Sequence, residues 1–420
     1  MWQILSDELV EGMRVVGDGR RFVELDLARS GIDYQHARNP NLDKSRYGDA
    51  LKFDVMEHSA GGVAVADYND DGWPDIFFAD GKRSRLYRHR GGRETGLNAA
   101  SVSFTDVTSK AGLDGIDQAT AGLFVDVDND GDRDLVVIRY LAPTQFYRNN
   151  GDHTFTNRST DMGLDFIAPA TSATFLDYNR DGFVDLYVGV LGNAFTDVPR
   201  LPFFVQNGKP NRLFRNDAGQ GFTDVTDHSG VGDTGWSLAV AASDYDNDGY
   251  LDLAVANDFG RKNLYRNNRD GTFTEVAKQA GVLDFSAGMG LAFGDFNADG
   301  HIDLYTSNIN SNQRWFGEDV TIRQYLHNVI RTTWLWRDLG EFFKLYRLLG
   351  SSWPALGQMI SEGNSLFRNN GDGTFTEVQN SDTNRAGWGW SVTFFDADND
   401  TDLDIYAANG WISNKPGTDL

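Results

Sequence analysis

Asp244-Tyr-Asp246-Asn-Asp248-Gly249-Tyr-Leu-Asp252 is one of six copies of the same acidic loop in this chain. Each copy has Asp at positions one, five and nine, Asp or Asn at position three and, with one exception, Gly at position six. Three or four carboxylates within nine residues repel one another unless a cation lies among them. Oxygen ligands at alternate positions suit a hard ion, and Gly at position six permits the sharp turn around it. The pattern therefore predicts calcium loops.

The predicted side-chain ligands occupy positions one, three, five and nine. They are Asp67, Asn69, Asp71 and Asp75; Asp126, Asp128, Asp130 and Asp134; Asp177, Asn179, Asp181 and Asp185; Asp244, Asp246, Asp248 and Asp252; Asp295, Asn297, Asp299 and Asp303; and Asp396, Asp398, Asp400 and Asp404. One such loop is equally compatible with an ordinary turn, but a turn does not need three acids at constant offsets. Up to six Ca²⁺ ions are expected. Thr401 replaces Gly in the sixth loop, and a β-branched residue tolerates a left-handed backbone poorly, so a distorted or weaker site is expected there.

Composition excludes several classes of function. The 420-residue chain has a net charge of −23, which comes mainly from the acidic loops. No basic face is evident in the sequence, so nucleic acid is not an expected partner. Cysteine is absent, which excludes disulfides and thiol catalysis. No signal peptide and no apolar stretch long enough to span a bilayer is visible. Calcium loops favour an extracellular or periplasmic location, while the missing leader leaves the cytoplasm open.

The acidic loops recur within a repeated unit of four strands. A small, apolar strand such as 62–66 precedes the loop, and a second strand such as 75–79 leaves it. A third strand carries Leu-Tyr-Arg or a variant, as at 264–266, and a hairpin turn leads to a fourth, as at 273–276. The regular recurrence of such a unit indicates a repeat architecture, in which the units are stacked or arranged radially. The pattern predicts an all-β fold, a β-propeller with six recognisable four-stranded blades.

The two chain ends predict how the ring closes. The sixth unit stops after its second strand, at 404–408, and residues 22–32 resemble the outermost strand of a unit that lacks its beginning. A linear solenoid would not need such complementary ends. We therefore expect a single propeller domain over residues 1–420, closed by a strand within 20–33 that pairs with the last blade. A seventh, degenerate blade built partly from residues 1–59 is an alternative that the sequence leaves open.

These repeats resemble the FG-GAP/VCBS proteins, whose propeller modules also form the head of integrin α-subunits. A closer resemblance, to the cartilage-acidic-protein/UnbV-type group, comes from residues 22–25 and 30–36, the 366–376 run, Trp388-Gly-Trp-Ser and Ala408-Asn-Gly-Trp-Ile412. The resemblance implies calcium-stabilised blades in which the seventh residue of each loop adds a backbone carbonyl ligand. The residues assigned to this role are Trp73, Arg133, Phe183, Tyr250, His301 and Asp402.

An insertion separates the fifth and sixth loops, within residues 313–362. Its apolar residues, among them Ile322, Leu326, Val329 and Phe343, fall at helical spacing on one side, and it is locally basic. Three interpretations stay open. It packs as a helical pair against the propeller, it covers the channel mouth as a lid with an aromatic pocket, or it contacts a membrane surface or a partner.

Two functions from different classes fit these features. The first is a calcium-binding propeller that acts as a binding module for a protein, a glycan or an apolar small molecule. The second is a natural-product biosynthetic enzyme of cyclase or lyase type, similar to members encoded in enediyne clusters, with its pocket between the propeller and the insertion. The candidate catalytic residues are His36, Glu57, His58 and Arg331, although hydrogen-bonded surface or channel histidines are the favoured interpretation of His36 and His58.

Overall fold

The computed structural model of the chain describes residues 27–36, 61–91, 102–193, 204–258, 260–308, 335–350, 363–379, 383, 389–398 and 400–409. Twenty-two strands in this part of the chain form successive antiparallel blades. Their bounds are β1 Gly61–Ala66, β2 Asp75–Asp80, β3 Arg85–His89 and β4 Phe104–Asp106; β5 Ala119–Val125, β6 Asp134–Pro143, β7 Gln145–Asn149 and β8 Phe155–Asn157; β9 Ile167–Leu176, β10 Asp185–Val190, β11 Arg212–Asn216 and β12 Phe222–Asp224; β13 Trp236–Ser243, β14 Asp252–Asp258, β15 Asn263–Asn267 and β16 Phe273–Glu275; β17 Gly288–Gly294, β18 Asp303–Asn308, β19 Ser365–Asn369 and β20 Phe375–Glu377; and β21 Gly389–Phe395 and β22 Asp404–Asn409. The predicted all-β propeller is confirmed.

The first strand of each blade packs against the first strand of the next blade. Small residues allow this close approach. A Cβ on Gly122 of β5 would lie 2.6 Å from the Phe77 ring of the preceding blade. Gly and Ala in the leading strands therefore have a packing reason, because bulkier side chains would force the blades apart.

Hydrophobic clusters fill the spaces between successive blades. Phe77 and Leu86 of the first blade pack with Leu135 of the second, while Leu264 and Leu304 belong to the cluster that joins the fourth and fifth blades. Each blade thus buries its apolar face against a neighbour rather than within itself, as stacked repeat units do.

Two departures from regular blades are present. Strands β6 and β9 continue beyond their own blades and pair with each other, with Tyr140 opposite Pro169, so the second and third blades form one continuous sheet. The sixth blade consists of β21 and β22 within the described residues. On the first blade, Val63 and Val65 of β1 are 62% and 61% exposed, on the side of β1 that faces away from the second blade.

The described N-terminal residues form a helical turn, so the strand expected over 20–33 does not extend through α1, Leu27–Ser30. The same turn follows the fourth strand of the third and fourth blades, as α2, Thr226–Ser229, and α3, Ala277–Ala280. Gly31 after α1 has φ 73° and lies against the Phe104 carbonyl, as Gly281 after α3 lies against the Phe375 carbonyl. Residues 27–32 thus resemble the end of a blade that precedes the first. The pairing expected for 20–26 lies outside the described residues.

The insertion contains α4, Leu335–Leu349, which confirms a helix in this part of residues 313–362. Leu345 and Leu349 are buried, whereas Phe343 and Tyr346 are exposed. Lys278 Nζ of α3 donates a hydrogen bond to the Leu348 carbonyl at 2.5 Å. The end of α4 therefore lies beside the outer edge of the fourth blade. In the described part of the chain, no helix is long and apolar enough to cross a bilayer.

Candidate metal centres

Each acidic loop joins the first and second strands of its blade, and its first Asp closes the turn. We number the loops 1 to 6 in chain order. In loop 4, Asp244 Oδ1 accepts a hydrogen bond from the Asp248 N–H at 2.9 Å, and Oδ2 accepts one from the Gly249 N–H at 2.8 Å. The same bonds recur in the other five loops at 2.7–3.1 Å. The turn draws the carboxylates of one loop together.

The ninth Asp lies at the buried base of each of the first five loops. In loop 4, Asp252 accepts hydrogen bonds from the backbone N–H groups of Tyr245 and Asn267, at 3.3 and 2.8 Å. Burial, reinforced by neighbouring carboxylates, raises the pKa of Asp252 to about 8. Burial likewise raises the pKa to about 7 at Asp134 and Asp185 and to about 6 at Asp75. A cation in the loop would offset this cost, because it stabilises the charged carboxylate.

The third residue divides the loops into two kinds. Loops 1, 3 and 5 have Asn, whose Nδ2 donates to Oδ2 of the fifth residue at 2.9–3.0 Å; we call them the asparagine loops. Loops 2, 4 and 6 have Asp, and we call them the aspartate loops. Oδ1 of their third residues, Asp128, Asp246 and Asp398, is buried and has no hydrogen-bond partner in the described part of the chain. A buried carboxylate oxygen without a partner is costly unless a cation coordinates it.

The donor set of the aspartate loops fits calcium. Three carboxylates in each of these loops have oxygen atoms within 4.8 Å of one another: Asp126, Asp128 and Asp130; Asp244, Asp246 and Asp248; and Asp396, Asp398 and Asp404. Calcium takes six to eight oxygen ligands in flexible geometry, so backbone carbonyls and water would complete such a site. These residues would hold the ion in loops 2, 4 and 6.

The assignment of Arg133 as the seventh-position ligand is wrong. In every loop, the N–H of residue seven donates to Oδ1 of residue five, and in loop 2 this donor is Asp132, at 2.9 Å from Asp130 Oδ1. Arg133 follows at position eight, and its Nη1 donates to the Asp67 carbonyl of loop 1 at 2.9 Å. The seventh residues of the other loops remain Trp73, Phe183, Tyr250, His301 and Asp402.

Two arginines pair with ligand side chains of aspartate loops, and sequence reasoning missed both. Arg148 forms a close ion pair with Asp128 in loop 2. In loop 4, Arg269 Nε and Nη2 donate to Asp248 Oδ2 at 2.9 and 2.7 Å. Arg269 has φ 66° at a hairpin position where the fifth blade has Gly371. An Arg at a hairpin position where another blade has Gly was the signal in the sequence for Arg269, because Gly suits the left-handed backbone and Arg does not.

The sixth loop places Thr401 in the left-handed backbone conformation that its sequence makes costly. Thr401 stands at position six with φ 79°, close to the 84–95° of the glycines at this position in the other loops. The hydrogen bond from the Thr401 N–H to Asp396 Oδ2 is retained at 3.0 Å. The loop therefore keeps the shared turn, and a β-branched residue bears the backbone strain.

An asparagine at the end of the third strand links each of blades two to five to the acidic loop of the preceding blade. Its Nδ2 donates to the backbone carbonyl of the second loop residue there at 2.7–3.0 Å, and also to a carbonyl of its own loop. The pairs are Asn149 with Tyr68, Asn216 with Val127, Asn267 with Tyr178, and Asn369 with Tyr245. These buried amides hold neighbouring loops at a fixed spacing.

The structure gives His36 a structural partner. His36 Nδ1 lies 3.0 Å from Asp80 Oδ2, and the Tyr34 hydroxyl donates to the same oxygen at 2.8 Å. Asp80 is buried at the end of β2, where it also accepts the N–H groups of Lys82 and Arg83. The cluster joins the N-terminal segment to the first blade. The other three catalytic candidates, Glu57, His58 and Arg331, lie outside the described residues.

A groove of about 330 Å³ opens between the third and fourth blades, beside loops 3 and 4. Two guanidinium groups lie near the ring of Tyr250 in loop 4, Arg180 at 5.1 Å and Arg269 at 5.9 Å from its centroid. The groove combines aromatic, amide and charged groups around residues of both loops. Its lining consists of Tyr178, Asn179, Arg215, Val225, His228, Tyr250, Arg269, Asp270 and Gly271.

Fold and site together define a β-propeller whose blades carry carboxylate loops. The sequence matches the FG-GAP-like repeat over residues 67–137, 126–188, 202–255, 244–306 and 356–407, and the chain belongs to this family. It is 28% identical to Cartilage acidic protein 1 of Xenopus tropicalis over 184 residues, which cover 39% of this chain and 28% of the relative. It is 24% identical to the Homo sapiens protein of that name over 268 residues, covering 61% and 40%. The chain thus spans well under half of these relatives.

Solved structures resemble the chain more distantly. An Agrocybe aegerita lectin, described as recognising non-reducing terminal N-acetylglucosamine, covers 84% of this chain with TM-score 0.41 and 18% identity, over 72% of its own length. The V. cholerae biofilm matrix protein Bap1 covers 60% of this chain with TM-score 0.33 and 16% identity, over 35% of its length.

Proposed function

We propose that the protein is a calcium-stabilised propeller that acts as a binding module for a protein or a glycan. The observation that carries calcium binding is the buried Oδ1 of Asp128, Asp246 and Asp398, which has no hydrogen-bond partner among the described residues. All six loops share one hydrogen-bonded turn, five of them with Gly at position six, and three carboxylates converge in each of loops 2, 4 and 6. Calcium at these loops suits an extracellular or periplasmic location.

The groove between the third and fourth blades is our candidate for the ligand site. Asn179 of loop 3 and Tyr250 of loop 4 contribute to its walls, so bound ions would fix the groove's shape. Its mixed aromatic and polar lining suits the hydroxyls and apolar faces of a sugar, or a peptide with polar side chains. His36 is accounted for as a link to Asp80, and no described observation favours the enzyme hypothesis over the binding module.

Two measurements test this function. Isothermal titration of chelator-treated protein with calcium should reveal several sites, and replacing Asp246 with Asn should weaken one of them. Absence of calcium binding at millimolar concentration would contradict the metal assignment. A glycan array probed with and without calcium tests the module, with Tyr250→Ala as the groove variant and Tyr346→Ala, on the exposed side of α4, as the control. Binding that Tyr250→Ala leaves intact would place the ligand elsewhere.

A further inference from the structure

Neighbouring acidic loops contact one another through a residue that is not a predicted ligand. Asn129, the fourth residue of loop 2, donates from Nδ2 to the Gly182 carbonyl of loop 3 at 2.9 Å. Asn247, the fourth residue of loop 4, lies with Nδ2 3.4 Å from His301 Nδ1 of loop 5. In both cases the fourth residue of one loop meets the sixth or seventh residue of the next.

At the other two junctions among loops 1 to 5, the fourth residue meets the seventh or the eighth residue of the next loop. Arg180, fourth in loop 3, places its guanidinium 5.1 Å from the ring centroid of Tyr250, seventh in loop 4. Asp70, fourth in loop 1, pairs with Arg133 of loop 2 at 3.3 Å. All four fourth residues have φ between 54° and 61°. The left-handed backbone is thus common to every side chain that reaches the next loop.

These contacts lie between ligand positions on both sides. A fourth residue is flanked by ligands three and five of its own loop, and its partner lies between ligands five and nine of the next. An ion that orders one loop therefore restricts the next loop as well, which lowers the entropy that the second ion must remove. Coupling of this kind is reciprocal.

We infer that the metal sites of loops 1 to 5 are energetically coupled through their fourth residues, so that an ion in one loop raises the affinity of its neighbour. The inference rests on the calcium binding proposed above. The coupling should stop between loops 5 and 6, because the fourth residue of loop 5 is Ala298, with φ 56°, whose methyl group offers no polar contact. Loop 6 therefore binds its ion independently of loop 5.

Terbium(III) luminescence, excited at a wavelength that tryptophan absorbs and tyrosine does not, reports on the loop whose ion lies beside a tryptophan. Trp73 is the seventh residue of loop 1, and Phe183 holds the same position in loop 3. A reporter protein with Trp73→Phe and Phe183→Trp therefore moves the sensitiser to loop 3. If terbium binds neither the unaltered protein nor the loop 3 reporter, the proposed metal sites are contradicted. If it binds but the loop 2 variants leave the affinity of loop 3 unchanged, only the coupling is contradicted.

Asn129→Ala in the loop 3 reporter is the decisive variant. We expect terbium to bind loop 3 about two- to tenfold more weakly, as the loss of one hydrogen bond of roughly 0.5–1.5 kcal/mol implies. Ala298 shows that alanine is accommodated at this backbone position. Ala298→Asn, a change at the same position of a loop that does not adjoin loop 3, serves as the matched control and should leave the titration unchanged. Unchanged affinity in Asn129→Ala would overturn the inference.

A double-mutant cycle distinguishes coupling between the two metal sites from stabilisation of loop 3 by the contact alone. Asp130→Asn removes a ligand of loop 2 and should itself weaken loop 3, after which Asn129→Ala should add little. If Asn129→Ala lowers the terbium affinity of loop 3 by the same factor with and without Asp130, the contact stabilises loop 3 regardless of the ion in loop 2. That result would contradict the coupling. Should Asp130→Asn impair folding, Asp128→Asn replaces it, because three other loops already carry Asn at that position.

Discussion

The asparagine and aspartate loops share one backbone turn but differ in how they satisfy their own polar groups. In loop 3, Asn179 donates to Asp181 at 2.9 Å, so the loop's side chains bond to one another. In loop 4, the buried Asp246 Oδ1 has no hydrogen-bond partner among the residues that the structure describes, and Arg269, from outside the loop, pairs with Asp248. A single third residue therefore decides whether the side chains of a loop satisfy one another or leave a buried carboxylate oxygen that a cation would satisfy. The two kinds alternate along the chain.

Removing metal should give the largest effect. An ion that binds only the folded protein, present at a hundred times its Kd, stabilises it by about 2.7 kcal/mol. With several such sites, excess chelator should lower the Tm by roughly 10 °C or more, since 1 kcal/mol corresponds to about 2–4 °C in a domain of 150–250 residues. Calorimetry with calcium and with chelator checks this. Equal Tm values in both solutions would contradict the cation dependence proposed for the aspartate loops.

The sequence was sufficient for the repeat and the loops, because both rest on local patterns. The strands expected at 75–79 and 264–266 occur as parts of β2 and β15, and the strain expected at Thr401 appears as φ 79°. Contacts between distant residues were not predictable in this way. Asp80 lies 44 residues beyond His36 in the chain (80 − 36), and no local pattern pairs them.

The consequence of the third residue also required the structure. Asn or Asp at this position is visible in the sequence, yet only burial shows that Asp128 Oδ1 lacks a partner. The arginine pairs depend on side-chain direction, which spacing does not determine. The continuous sheet formed by β6 and β9 was likewise missed, because ten-residue strands that cross between blades carry no turn signal of their own.

Exchanging the third residue sharpens the comparison directly. Asn179→Asp should convert loop 3 to the aspartate kind, raising its calcium affinity about tenfold, because carboxylate count tunes affinity in oxygen-ligand loops. The same change should lower the Tm of the metal-free protein, since the bond to Asp181 is lost. Asp246→Asn in loop 4 is the reciprocal variant, for which both signs should reverse. Calcium titration and calorimetry in chelator measure the two effects. Equal shifts in both variants would contradict a role for the third residue.

The ninth residues predict a pH dependence that only the metal-free protein should have. Burial raises the pKa of Asp252 to about 8, against about 4 for an exposed Asp. The folded state then retains a proton that the unfolded state has lost. This contribution to stability is complete below about pH 4 and is lost as the pH rises towards 8. In chelator, the Tm should fall by a few degrees between pH 5 and 8, and calcium should flatten this slope.

A matched variant isolates these groups. The pKa of Asp217 is lowered by its hydrogen bond from Thr223 and its pair with Arg215, so it is already ionised above pH 5. Asp217→Asn should therefore leave the slope between pH 5 and 8 unchanged. A metal-free Tm that rises with pH across this range would show that the buried carboxylates of both kinds of loop are charged without a cation.

The smallest expected effect concerns loop 6, which keeps the shared turn without Gly at position six. Thr401 has φ 79°, and a non-glycine residue in such a region costs on the order of 1 kcal/mol or more. Thr401→Gly should relieve this strain, with part of the gain offset by the greater freedom of glycine in the unfolded chain. We expect loop 6 to bind calcium a fewfold more tightly. Gly300→Thr in loop 5 is the reverse variant, because Gly300 has φ 84° and a Cβ there would meet no atom within 4 Å. Calcium titrations of both proteins should shift in opposite directions; if Gly300→Thr is neutral, backbone strain does not set the affinity, and loop 6 differs from the other aspartate loops for another reason.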